Sequence, residues 1–181
     1  LSGPLAAFQL ADEAVPGSYR TRVVAERAGG VVSSAGVTIE AQGAGRRSAD
    51  TFIVVGGGGV HGCAASAKTC ALIARACARA RRTASVCTGA FLLAAAGLLE
   101  GRRATTHWRM AERLQAAYPT IDLHPDRIYV KDGAIWTSAG VSAGIDLALA
   151  LIEEDLGAAV AKKVAQEMVV QLAEGDDMPT V

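Results

Sequence analysis

Residues 84–90 read ASVCTGA and run without interruption into the apolar stretch FLLAAAGLL. Residues 83–86 have the composition of a short strand and those from Cys87 onward that of a helix, with no loop residue between them. A strand that passes directly into a helix must bend sharply. Such a bend strains the backbone of the residue that makes it and lifts that side chain above the sheet edge. Cys87 stands at the bend, in the nucleophile-elbow pattern known with serine in G-x-S-x-G. Ser85 replaces the first glycine and Gly89 keeps the second. At a helix N-terminus, free backbone N–H groups and the helix dipole favour a thiolate and can hold an oxyanion.

Working outward, TFIVV (51–55) is the clearest buried strand, and Gly56–Gly59 follow it at once. A glycine run permits close backbone approach, so this strand end can offer a second backbone donor facing Cys87. GGGGVHG lacks the Gly-Lys-Ser/Thr of a phosphate loop, and His61 reads as a polar loop residue. Ala64 to Arg82 has helical spacing, with Lys68, Arg75, Arg79, Arg81 and Arg82 mostly toward solvent. RATTHW reads as a short strand ending in His107, followed by a helix from Trp108. If successive strand ends meet at one rim, His107 can pair with Cys87 and draw the proton from its thiol; alone, it reads equally as a helix cap.

RIYVKDGAIWTS is a hairpin turning at Asp132-Gly133. TSAGVSAGID admits two readings: tight helix–sheet packing, or a pocket wall of Ser138, Ala139 and Gly140 beside the thiol. Two amphipathic helices then follow, divided at Gly157. Toward the N-terminus, a short helix ends at Pro16-Gly17, YRTRVVAE alternates as a strand, and VVSSAGVTIEAQGAG is hairpin-like. His124, in DLHPD, reads as a loop residue. Strands alternate with helices over most of the length, which predicts an α/β sandwich around a mostly parallel sheet, with ligands at the carboxyl ends of the strands.

At 181 residues and 51% apolar, the chain fits one domain spanning 1–181. Its 18 basic and 18 acidic residues cancel, so no global field recruits nucleic acid or an anionic membrane. Cys63, Cys70 and Cys77 recur every seven residues along one helical stripe and read as small core residues; no C-x-x-C pair or histidine cluster suggests zinc. Neither a metal nor a cofactor is expected. No apolar run approaches membrane length, and a reducing cytoplasm is the expected location. The chain opens at a helix start without Met, which points to a segment upstream.

With LSGPLAAF, VVGGGG, SVCTGAF, TTHW and TSAGVSAGID in this order and spacing, the chain resembles the ThiJ/PfpI superfamily of class I glutamine-amidotransferase-like domains. Within it, the chain is similar to the sensor half of GlxA-like AraC-family transcriptional regulators. The resemblance implies a flavodoxin-like three-layer α/β sandwich with a mostly parallel sheet, and a homodimer. It implies Cys87 at the elbow with His107 beside it, and a small pocket ringed by backbone donors near Gly57, Gly58 and Thr88. Thr88 stands where PfpI-type peptidases carry histidine, which speaks against peptidase activity. The family's acidic partner of the cysteine would fall just before Leu1. GlxA-like regulators continue into a helix-turn-helix domain, and no segment here reads as a recognition helix.

Two functions follow as expectations. One is a domain that senses a small-molecule effector and dimerises, with DNA contacted only through a domain outside this chain. The other is a cysteine-dependent enzyme, such as an isocyanide hydratase or a glyoxalase- or deglycase-like hydratase, in which Cys87 attacks an electrophilic carbon.

Overall fold

The structure is a computed structural model that describes residues 1–44, 48–140 and 142–176, the last helix being followed as backbone beyond Met168. Gly45, Val141 and the end of the predicted domain boundary, 177–181, lie outside the described residues. The contacts group the chain into two compact units, Leu1–Thr21 with Ile145–Val181 and Arg22–Gly144.

The first unit is helical. α1 (Ser2–Ala14) buries Ala7, Phe8, Leu10 and Ala11, a spacing that lines one helical face. The Phe8 and Tyr19 rings lie 4.9 Å apart. Past the Pro16-Gly17 stop, the Tyr19 N–H donates to Asp12 Oδ1 (3.0 Å) and its hydroxyl to Asp155 Oδ2 (2.8 Å). Asp155 belongs to the helix Ala143–Leu156, whose first turn contains the division between the units, and the helix Ala158–Asp176 follows it.

The second unit carries the strands. β1 (Val24–Ala25), β2 (Gly29–Val32) and β3 (Thr38–Gly43) form a small sheet in the order β1-β3-β2. The predicted strand YRTRVVAE shrinks to its two-residue β1. β4 (Thr51–Val55) is the predicted TFIVV, unaltered.

The helix predicted over Ala64–Arg82 forms only as α3 (Ala67–Cys77), and a short helix, α2 (Val60–Ala64), precedes it in the stretch expected to be loop. They are divided at Ser66, whose hydroxyl accepts from the Thr69 N–H as an N-cap. Arg82 lies at the start of β5 (Arg82–Val86), not on a solvent face: it is 2% exposed, and its Nε donates to Thr51 Oγ1 at 2.8 Å. A guanidinium can be buried there because β4 supplies an acceptor.

α4 (Gly89–Ala95) follows two residues after β5 and stops where Gly97 takes φ +76°. Next come β6 (Arg103–Ala104), a single 3₁₀ turn (Trp108–Met110), α5 (Ala111–Ala117), β7 (Asp122–Leu123), and the hairpin β8 (Tyr129–Asp132) and β9 (Ile135–Ser138) turning at Asp132-Gly133. The two long helices then complete the order as α6 (Ala143–Leu156) and α7 (Ala158–Asp176).

The larger sheet runs β4-β5-β9-β8, with β4, β5 and β9 mutually parallel and β8 antiparallel to β9. RATTHW contributes no strand to it. β6 pairs instead with β7, a strand that the DLHPD segment did not suggest. Val54 and Ile135, on one face of the sheet, join Phe91, Leu93, Leu99 and Leu114 in a buried apolar cluster.

Two glycines fix how α4 meets β4. A Cβ on Gly89 would collide with the Val54 carbonyl oxygen, and one on Gly56 would lie 2.6 Å from the Thr88 nitrogen and 2.8 Å from the Gly89 nitrogen. Main chain therefore rests on main chain, and only hydrogen atoms fit between. Gly89→Ala and Gly56→Ala should each lower unfolding free energy by about 1–3 kcal/mol. A Cβ on Gly58 meets nothing within 4 Å, so Gly58→Ala should stay within about 0.5 kcal/mol in the same urea titration.

Candidate functional site

Cys87 follows the last residue of β5 and takes φ +59°, the one positive φ among the described non-glycine residues. For a residue with a Cβ, this left-handed conformation costs on the order of 1–2 kcal/mol. Two hydrogen bonds oppose that cost. The Cys87 N–H donates to the Ser138 carbonyl at the end of β9 (3.0 Å), and the Cys87 carbonyl accepts from the Thr106 hydroxyl (3.0 Å). Each contributes about 1 kcal/mol. The residue is half-buried and its thiol is free.

The other residues singled out in the sequence occupy different settings. Thr88 is half-buried, and its Oγ1 accepts from the Gly57 N–H (3.1 Å), so that donor is engaged by the neighbouring side chain. Thr88 and Gly89 sit at the very start of α4, where backbone N–H groups have no acceptor within the helix. Gly58 is exposed. Ser138 is fully buried, and besides accepting from Cys87 it donates through Oγ to the Ser85 carbonyl (3.2 Å). Ala139 N–H donates to the Ile128 carbonyl (2.9 Å), and the Gly140 carbonyl accepts from Gly144 N–H (3.1 Å); both residues are half-buried.

His107 reaches this neighbourhood by a different route from the one expected. Its segment is tied to the bend through the preceding residue, Thr106, and not as a neighbouring strand of the same sheet. The half-buried His107 caps the 3₁₀ turn, its Nδ1 accepting from Arg109 N–H (3.3 Å). A neutral ring that accepts at Nδ1 carries its proton on Nε2. Nε2 is then a donor, and Nδ1 can serve another partner only by releasing Arg109. The ring stacks on Trp108 (centroids 5.9 Å apart), which is 67% exposed and has the Arg109 guanidinium 5.0 Å from its centre.

Sequence reasoning overlooked the buried hydroxyls that support the bend. Thr105, Thr106, Thr137 and Ser138 are all fully buried; Thr105 N–H donates to Thr137 Oγ1 (2.8 Å), and Thr105 Oγ1 donates to the Arg127 carbonyl (3.3 Å). Ser85 Oγ is buried with no hydrogen-bond partner among the described residues. The signal was present in TTHW, two adjacent hydroxyls entering a motif that had been read only for its histidine.

The other cysteines occupy distinct settings, because the break at Ser66 puts Cys63 on α2 and the other two on α3. Cys63 is exposed, and Cys70 is half-buried with its Sγ donating to the Ala64 carbonyl (3.4 Å). Cys77 is buried, and that burial pushes its thiol above the usual cysteine range. His61 lies on α2, its ring edge-on to Phe91 at 5.2 Å, and the His124 N–H donates to the Ala104 carbonyl beside β7.

Two measurements follow. Glycine at position 87 accepts φ +59° freely but costs about 0.5–1 kcal/mol in unfolded-chain entropy. Against about 1–2 kcal/mol of relieved strain, Cys87→Gly should therefore equal or exceed Cys87→Ala in stability by denaturant titration. Because the folded Cys77 value is raised, its contribution to stability is complete below about pH 9, the unfolded value, and is lost as pH climbs through the folded value. Native-state alkylation at mildly alkaline pH should spare Cys77 while labelling the exposed Cys63, as read by peptide mass spectrometry.

The pattern of the DJ-1/PfpI family matches residues 1–154. An isonitrile hydratase of Pseudomonas putida is 42% identical over 121 residues, 66% of this chain and 51% of that protein. The HTH-type transcriptional regulator GlxA of Rhizobium meliloti (strain 1021) is 34% identical over 152 residues, 81% of this chain and 46% of the regulator. The chain thus spans about half the length of these curated relatives. Among solved structures, a ThiJ/PfpI family protein from Pseudomonas syringae superposes with a TM-score of 0.78 at 31% identity, covering 99% of this chain and 70% of that one.

Proposed function

The chain belongs to the DJ-1/PfpI family, with its flavodoxin-like α/β fold, and from that premise we propose that it is the effector-sensing and dimerising domain of an AraC-family transcriptional regulator. In this reading, Cys87 forms a cysteine elbow at the carboxyl end of a mostly parallel sheet. Its pocket is bounded by Gly57, Gly58, Thr88 and Gly89 on one side and by Ser138, Ala139 and Gly140 on the other. His107 presents its Nε2–H toward the thiol. The protein works in the cytoplasm as a homodimer, and DNA is contacted by a domain outside this chain. The observation that carries the reading is the likeness to the GlxA regulator over 81% of the chain.

The isonitrile hydratase likeness favours a second reading, in which the same cysteine is a nucleophile. The Cys87 thiolate would attack the terminal carbon of an isonitrile, an acidic group would deliver a proton to that carbon, and water would add before the thiolate leaves. Thermodynamically, both readings need the same thing, a thiol held in a fixed direction at a strand end.

Turnover separates them. With an aryl isonitrile and with methylglyoxal, the wild-type chain is expected to show no conversion above the Cys87→Ala background, while light scattering gives twice the chain mass. Conversion in the wild type that Cys87→Ala abolishes would transfer the assignment to the enzyme, and a strictly monomeric chain would remove the dimerising role.

A further inference from the structure

The left-handed conformation at Cys87 turns its carbonyl out of both the strand ladder and the helix. The donors on either side are already engaged: Gly56 N–H donates to the Val86 carbonyl (2.9 Å), and Phe91 N–H donates to the Thr88 carbonyl (3.1 Å). The donor that reaches the Cys87 carbonyl is the Thr106 hydroxyl at 3.0 Å, from a side chain that is 0% exposed. Thr106 lies just past β6, outside the larger sheet, and immediately before His107.

We propose that Thr106 is a positioning residue for Cys87: its hydroxyl clamps the carbonyl of the bend, sets the direction of the thiol, and ties the bend to the segment that carries His107. The inference rests on the reading of Cys87 as the reactive group of the site. Three features suit Thr106 to this part. Its branched Cβ stiffens χ1, so the hydroxyl is aimed before it bonds. Its complete burial keeps water from replacing it. The opposite side of the same residue is held by the Ser138 carbonyl, so both polar groups of Cys87 are fixed and the thiol inherits their orientation. A valine at 106 has the same shape and no donor; serine keeps the donor and loses the branch.

Site-resolved iodoacetamide alkylation of Cys87 at neutral pH tests this without a substrate or an effector, with the half-buried Cys70 as internal reference. Thr106→Val should slow Cys87 labelling by roughly tenfold, because a thiol no longer held in one direction meets the reagent in a reactive geometry less often. Thr106→Ser should stay within about threefold of wild type, since the hydroxyl is retained. A Thr106→Val labelling rate equal to wild type, or a serine variant that behaves like the valine one, overturns the clamp and leaves the site reading standing. A wild-type Cys87 no faster than Cys70 overturns both.

If Thr106→Val alone fails to fold, the same substitution is made with Cys87→Gly, which relieves the left-handed strain. Recovery of the folded state supports a clamp acting on the bend. Continued failure to fold shows that the Thr106 hydroxyl serves the fold at large and not the strained bend, and overturns the inference.

Discussion

A residue that bears a side chain stays at φ +59° only where its neighbours hold it there, and the second unit is organised around meeting that condition at Cys87. β9 supplies the Ser138 carbonyl, and the segment after β6 supplies the Thr106 hydroxyl. Below the bend, Gly56 and Gly89 let the end of β4 and the start of α4 touch main chain to main chain. Loosening any one of these supports moves the helix start relative to the strand ends, and with it the sulfur. The arrangement is therefore a single mechanical unit built from four separate stretches of chain.

A regulator and a hydratase both stand among the chain's relatives, so the fold by itself does not choose between binding and turnover. Thr88 is turned inward onto the Gly57 N–H, and His107 spends Nδ1 on its own turn. Both acceptors are thereby engaged by the chain's own backbone.

How much of this was legible in the sequence depended on whether the controlling interaction was local. TFIVV was read to the residue, because five β-prone residues followed by four glycines leave little choice. The Asp132-Gly133 hairpin was equally plain. The Ser66 cap was also local, with serine three residues before Thr69, but the alanine-rich periodicity on either side concealed it. The pairing of β6 with β7 could not be read, since each strand is only two residues long and its partner is distant in sequence. The burial of Arg82 was hidden for the same reason: its acceptor, Thr51, lies thirty-one positions away. Cys87 stood out because strand, bend and helix are contiguous, whereas Thr106 acts on a carbonyl across nineteen positions and leaves no periodic trace.

The chain's two tryptophans divide sharply in environment: Trp108, adjoining His107, is 67% exposed, and Trp136, in β9, is 4% exposed. Nature has thus placed one indole in water beside the thiol's neighbourhood and sealed the other inside the sheet. Red-edge emission and quenching by a soluble collider belong to the first, and blue-shifted emission to the second. The protein carries its own pair of optical probes, one for events at the rim and one for the integrity of the strands beneath it, with no dye attached.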